Sequence, residues 1–271
     1  MPRPEPAVGA VILTAIMTHL PPEQVRAQLD YLHALAPQSR FVVCHSGERG
    51  DFDRLDVPDA VFIDDPSMRG RDQDHSHNAI FTAVWERYAR DDPAVSLVYF
   101  IEYDHLILSA EFEARLAALA DRSPAGLFAK HAGPRNDTNW PHFARFRHDE
   151  PFNRFVAQLS RRDDPERRFG ALGNGMLFRR EALEAYCAVG EMPHAYVELV
   201  VPTVVYHLGF DVVDVDAISD LYAAVRWRPE YTVDEALAAR AAGRVFVHPF
   251  KQLELLPTGQ RAKSSTADSR G

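Results

Sequence analysis

The run Val-Gly-Ala-Val-Ile-Leu-Thr-Ala-Ile-Met at residues 8–17 contains no charged side chain. A strand with one wet face alternates apolar and polar residues, whereas an unbroken apolar, β-branched run needs cover on both faces, as in a parallel sheet flanked by helices. The run is short of the roughly 20 apolar residues that cross a bilayer. It also lacks the basic flank and small-residue cleavage site of a secretory leader. It is therefore expected to be a buried strand.

The same punctuation recurs along the chain. After Pro21-Pro22, the residues Val25, Leu29, Leu32 and Leu35 form a helical stripe. Short strands are predicted at 41–44 and 60–63, and a helix at 78–88 with Ile80, Phe81, Val84, Trp85 and Tyr88 on one face. A strand at 96–101 follows, then a helix at 110–120 and a strand at 126–129. Residues 131–170 lose the periodicity and carry Gly, Pro, Asn, Arg, His and aromatics, the composition of a ligand-facing loop region with short helices. Regular structure resumes at 175–178, in a helix over 181–186, in an apolar stretch at 197–208 and in a strand at 211–215. Thr232 and Glu235 spell a capping box for a helix ending near Gly243, before a last strand at 245–247. This alternation predicts an α/β fold: a doubly wound, mostly parallel central sheet with helices on both faces, in a single domain. That domain is expected at 7–256, with a first half at 7–130 and a second at 131–256. The ends, 1–6 and 257–271, lack apolar periodicity and are expected to be loose.

The 271 residues are 46% hydrophobic and 25% charged, enough to bury a core. A net charge of −9 without a Lys/Arg block disfavours a nucleic-acid partner. Two cysteines, Cys44 and Cys187, do not make a disulfide scaffold, and reduced thiols in the cytoplasm are the expectation. No transmembrane segment is expected.

In an open α/β sheet, ligands sit outside the carboxyl ends of the strands. The strand at 96–101 runs into Glu102-Tyr103-Asp104-His105, two carboxylates one residue apart. Oxygen ligands suit a hard cation such as Mg2+ or Mn2+ that also bridges nucleotide phosphates. Asp72-Gln73-Asp74 forms a rival pair beside His75 and His77, in a polar stretch better read as a solvated loop before a helix. The segment His248-Pro249-Phe250-Lys251 follows the last strand and offers an imidazole and a cation. Gly173-Asn174-Gly175-Met176-Leu177-Phe178 precedes a helix and then Tyr196-Val197-Glu198.

On these residues the sequence resembles the nucleotide-sugar glycosyltransferases of the GT-A type, family 2-like, whose Asp-x-Asp signature follows an apolar strand. Here Glu102 stands first, so the resemblance rests the metal role mainly on Asp104. It implies that Glu102, Asp104 and His248 hold Mn2+ or Mg2+. Lys251, Thr14, His45, Ser46, Arg71 and Asn78 would face a nucleoside diphosphate sugar donor. Asn174, Trp140 and His142 would face a carbohydrate or other hydroxyl acceptor, with Arg145 and Arg147 nearby. Glu198 is the candidate base of an inverting transfer. Two other readings remain: a non-catalytic nucleotide-sugar or carbohydrate-binding protein, and a sugar-phosphate nucleotidyltransferase. The latter lacks support after Met17, where Thr-His-Leu-Pro-Pro stands in place of a Gly-rich, Arg-containing triphosphate loop.

Overall fold

The computed structural model describes residues 11–65 and 77–253. The first apolar run becomes β1 (Val11–Thr18), followed by α1 (Pro22–Leu35), β2 (Arg40–His45), α2 (Arg49–Asp53) and β3 (Ala60–Phe62). Then come α3 (Asn78–Val84), β4 (Val95–Glu102), β5 (Leu106–Ile107), α4 (Phe112–Ala120), β6 (Leu127–Ala129) and β7 (Gly133–Pro134). The irregular middle holds α5 (Pro141–Phe146) and α6 (Glu150–Leu159) before β8 (Phe169–Gly170). The rest is β9 (Met176–Arg179), α7 (Arg180–Cys187), α8 (Val197–His207), β10 (Val212–Asp214), α9 (Val215–Ile218), α10 (Val233–Ala241) and β11 (Phe246–Val247).

Seven strands form the central sheet in the order β10-β6-β9-β4-β1-β2-β3. All pair in parallel except β9, which runs antiparallel to both β4 and β6. The period-2 pleat divides each strand between two cores. Leu13, Ala15 and Met17 of β1, with Val98 and Phe100 of β4, meet α3, α7 and α8. Ile12 and Ile16, with Leu97, Tyr99 and Ile101, meet α1 and α4 on the other face. The expected doubly wound sheet with helices on both faces is present, and β1 is buried from Ile12 to Thr18 as its unbroken apolar pattern requires. Among the described residues, no helix is long and apolar enough to cross a membrane.

Several expectations need adjustment. The helix predicted through Tyr88 passes after Val84 into a π-helical turn, Trp85–Ala89, closed by an Arg90 N–H to Trp85 carbonyl bond of 2.7 Å. Arg180 stacks 5.0 Å over Trp85 and donates to the carbonyls of Ala89 (2.6 Å) and Arg90 (2.7 Å) at the end of the widened turn. The strand expected at 211–215 ends at Asp214, whose side chain accepts from the Asp216 N–H and caps a short helix instead. The apolar stretch from Val197 is a helix with Pro202 inside it. The expected ends at 1–6 and 257–271, the acidic pair Asp72 and Asp74 with His75, and the candidate Arg71 lie outside the described residues.

Candidate functional site

Strand register aligns the carboxyl ends. Met17 lies opposite Glu102 and Thr18 opposite His45, so the segments leaving β1, β2 and β4 emerge along one rim. Backbone bonds continue the alignment past the strands, with Ser46 N–H to the Thr18 carbonyl at 2.9 Å and Tyr103 N–H to the Met17 carbonyl at 2.9 Å.

The distant C-terminal segment reaches this rim through a second, two-stranded sheet. β11 pairs antiparallel with β5, Phe246 opposite Ile107 and Val247 opposite Leu106. The pairing carries the following residues back to β4, where Phe250 N–H donates to the Asp104 carbonyl at 2.8 Å. Glu102, Asp104 and His248 thereby present ligand atoms within 4.8 Å of one another.

The chemistry of this cluster fits a divalent cation. The His248 ring places Nδ1 2.8 Å from the Arg226 carbonyl, which fixes the proton on Nδ1 and turns Nε2 toward the acids. Nε2 lies 3.3 Å from Asp104 Oδ1 and 4.0 Å from Glu102 Oε2. Asp104 and His248 are each only 6% exposed, and Asp104 Oδ1 faces His248 Nε2 without a well-formed hydrogen bond. Burial works to lower the His248 pKa, but Asp104, Glu102 and the Arg226 carbonyl outweigh it and raise the value above the ordinary one. A negative field of this kind is what a cation would meet.

Asn174 holds Glu102. Its Oδ1 accepts from the Glu102 N–H at 3.2 Å and its Nδ2 donates to Glu102 Oε2 at 3.3 Å. Asn174, expected toward the acceptor, reaches the acidic cluster. The next residue, Gly175, has φ +78°, and a Cβ there would stand 3.2 Å from both His105 Cε1 and the Tyr99 hydroxyl. Glycine suits both the left-handed backbone and the close approach. Behind it, His105 is fully buried with Nε2 2.9 Å from the Tyr99 hydroxyl, and burial drives its pKa well below the ordinary value, so the ring is neutral.

Glu198 sits in the first turn of α8. Pro202 has no N–H to bond the carbonyl four residues earlier, which frees the Glu198 carbonyl to accept from Ala171 N–H at 2.9 Å. Its side-chain Oε1 accepts from Gly173 N–H at 2.7 Å. A cavity of about 550 Å3 opens here, lined by Glu198, Trp140, His142, Tyr196, Arg135 and Trp227 among others. His142 stacks on Tyr196 with centroids 3.6 Å apart. Of the residues expected toward an acceptor, Trp140 and His142 line this cavity, whereas Arg145 and Arg147 lie over the rings of Phe146 and Phe143. Arg135, Tyr196 and Trp227 were missed by sequence reasoning. They stand in irregular segments where no period marks a face.

The donor-side candidates divide. Thr14 is buried in the middle of β1, four residues short of the rim. His45 and Ser46 are buried at the end of β2, with His45 Nε2 3.0 Å from the Leu20 carbonyl. His19, just past β1, packs edge-on to Tyr103 at 5.1 Å and is the residue of that segment that reaches the rim. Asn78 opens α3 and accepts a hydrogen bond from the Tyr186 hydroxyl. Lys251 is exposed beside the cluster and paired with Glu230 at 2.9 Å.

No protein-family model and no curated protein matches the sequence. Among solved structures, the chain is similar to the bifunctional glycosyltransferase WbbM, at 12% identity and TM-score 0.42, covering 90% of this chain and 46% of that one. It is also similar to the mannosyltransferase PcManGT from Pyrobaculum calidifontis in complex with GDP-Man and Mn2+, at 16% identity and TM-score 0.44, covering 78% and 56%. A third is mouse xyloside xylosyltransferase 1, at 15% identity and TM-score 0.43, covering 88% and 96%. The chain thus spans about half the length of the first two.

Proposed function

We propose that this chain is a metal-dependent glycosyltransferase that moves a sugar from a nucleoside diphosphate sugar to a hydroxyl acceptor with inversion at the anomeric carbon. The supporting observation is the gathering of Glu102, Asp104 and His248 at the carboxyl end of β4, one short loop from the cavity that holds Glu198. Glu102, Asp104 and His248 would hold Mn2+ or Mg2+, with Asn174 and the Arg226 carbonyl orienting two of the three. When bound, the ion supplies positive charge to the departing nucleoside diphosphate. Lys251, whose charge lies at the same rim, adds to that charge.

Glu198 takes the proton of the acceptor hydroxyl. The hydroxyl oxygen bonds to the anomeric carbon as the bond to the diphosphate oxygen breaks, and the electron pair leaves with the nucleoside diphosphate. The hydrogen bond from Gly173 to Oε1 fixes the orientation of the Glu198 carboxylate. Cys44 and Cys187 are free, with burial pushing each thiol up to about 12, so neither competes as a nucleophile. Unpaired cysteines agree with a reducing compartment, and we assign the protein to the cytoplasm.

Isothermal titration with UDP, GDP and dTDP, with and without Mn2+, tests the reading. At least one nucleotide is expected to bind only with metal, and Asp104→Asn is expected to weaken that binding by about 100-fold. The absence of metal-dependent binding by any of them defeats the proposal. Binding without turnover, with Glu198→Gln indistinguishable from wild type, would favour a nucleotide-sugar-binding protein instead.

A further inference from the structure

The cavity beside Glu198 sets a guanidinium, Arg135, and a carboxylate, Glu198, among aromatic side chains, with His131 and His142 beside them. Lys130 pairs directly with Asp216 at 2.5 Å, whereas Asp214 and Glu198 act on Arg135 through their charge. The Arg135 guanidinium donates to main-chain carbonyls, those of His131 and, at 3.4 Å, Gly170. Its Nε is buried with no hydrogen-bond partner. Its plane lies 5.2 Å over Trp140.

The backbone is bent to hold this arginine. His131 has φ 54°, a left-handed conformation that non-glycine residues rarely adopt, and its N–H is tied to Asp214 Oδ1 at 2.8 Å. The bend directs the His131 carbonyl onto Arg135. Across the cavity, Trp227 is 72% exposed, an apolar face that a single buried core does not require. Aromatic faces of this kind stack on sugar rings, and a guanidinium fork binds planar or tetrahedral oxyanions.

We propose that the acceptor is an anionic sugar, bearing a carboxylate or a phosphate beside its ring, with Arg135 as the residue that binds the anion. This rests on the transferase reading given above. The carboxylate of Glu198 disfavours a bare anion at the base itself, so the anion of the acceptor is held on the Arg135 side while its hydroxyl faces Glu198. Specificity follows from Arg135, because a neutral acceptor offers the guanidinium no charged partner.

The test uses tryptophan fluorescence, since Trp140 and Trp227 line the cavity and only Trp85 lies elsewhere. Matched neutral and anionic sugars (glucose, galactose and mannose, their uronates and their 6-phosphates) are titrated with Mn2+ and nucleoside diphosphate present. At least one anionic member is expected to bind roughly tenfold more tightly than its neutral counterpart. Arg135→Gln is expected to remove most of that ratio. The uronate and 6-phosphate arms distinguish the two sources of charge. Equal binding within every pair, or a preference that survives Arg135→Gln, overturns the inference. If Arg135→Gln does not fold by circular dichroism, the wild-type preference must shrink as ionic strength rises, and a salt-independent preference overturns it. Metal-dependent nucleotide binding in the same wild-type samples separates the two levels. Its loss defeats the transferase reading, while its presence without an anion preference defeats this inference alone.

Discussion

On one side of β4 the strands β1, β2 and β3 run parallel, and register brings His45 and Ser46 at the end of β2 and Glu102 of β4 to one rim. On the other side β9 runs against β4, and the residues facing the cavity come from loops, a helix start and a strained turn at His131. The cluster of Glu102, Asp104 and His248 is thus placed largely by backbone pairing, and the cavity beside Glu198 by side chains that hold irregular chain in place. The difference predicts that the first tolerates change around it while the second is tuned by single residues.

Replacing Glu198 by Gln separates the two regions most sharply. The amide oxygen can still accept from Gly173, so the local structure holds while the proposed base is lost. Turnover is expected to fall by about 100-fold or more with nucleotide affinity unchanged. A matching fall in metal-dependent nucleotide binding would mean that the two ends are not distinct. Asn174→Ala removes the contact that orients Glu102. A loss of roughly 10-fold in metal-dependent nucleotide affinity is expected, measured by titration; no loss would show that register alone suffices.

The smallest effect concerns pH. Burial lowers the His207 pKa in the folded protein, with Ser160 Oγ at 2.8 Å and the Arg167 carbonyl at 2.7 Å from its two nitrogens. The unfolded chain therefore binds the proton first as pH falls, and stability drops below the ordinary histidine pKa of about 6.5. His207→Asn is expected to flatten the decline in Tm between pH 7 and pH 5. An unchanged slope would assign the acid sensitivity elsewhere, to His105 or His19, whose pKa values burial also lowers.

The parallel half was legible because it is written in unbroken apolar runs. Residues 11–17 and 97–101 can only be strands with both faces covered, and their ends locate Glu102 and Asp104 without further information. The direction of β9 was not legible, since a short apolar run reads the same both ways and the loop through α5 and α6 decides it. His248 was found from its place after the last strand, but the β5–β11 pairing that delivers it spans two residues on each side, too few to show a period. Arg135 carries no signal in sequence, because a left-handed His131 is a property of contacts and not of composition.

Gly173 and Asn174 are consecutive, so their Cα atoms are about 3.8 Å apart whatever else moves. One grips Glu198 and the other grips Glu102. Two adjacent residues thereby tie the carboxylate of Glu198 on α8 to that of Glu102 at the tip of β4. Loosening at either end would be felt as a change of spacing at both.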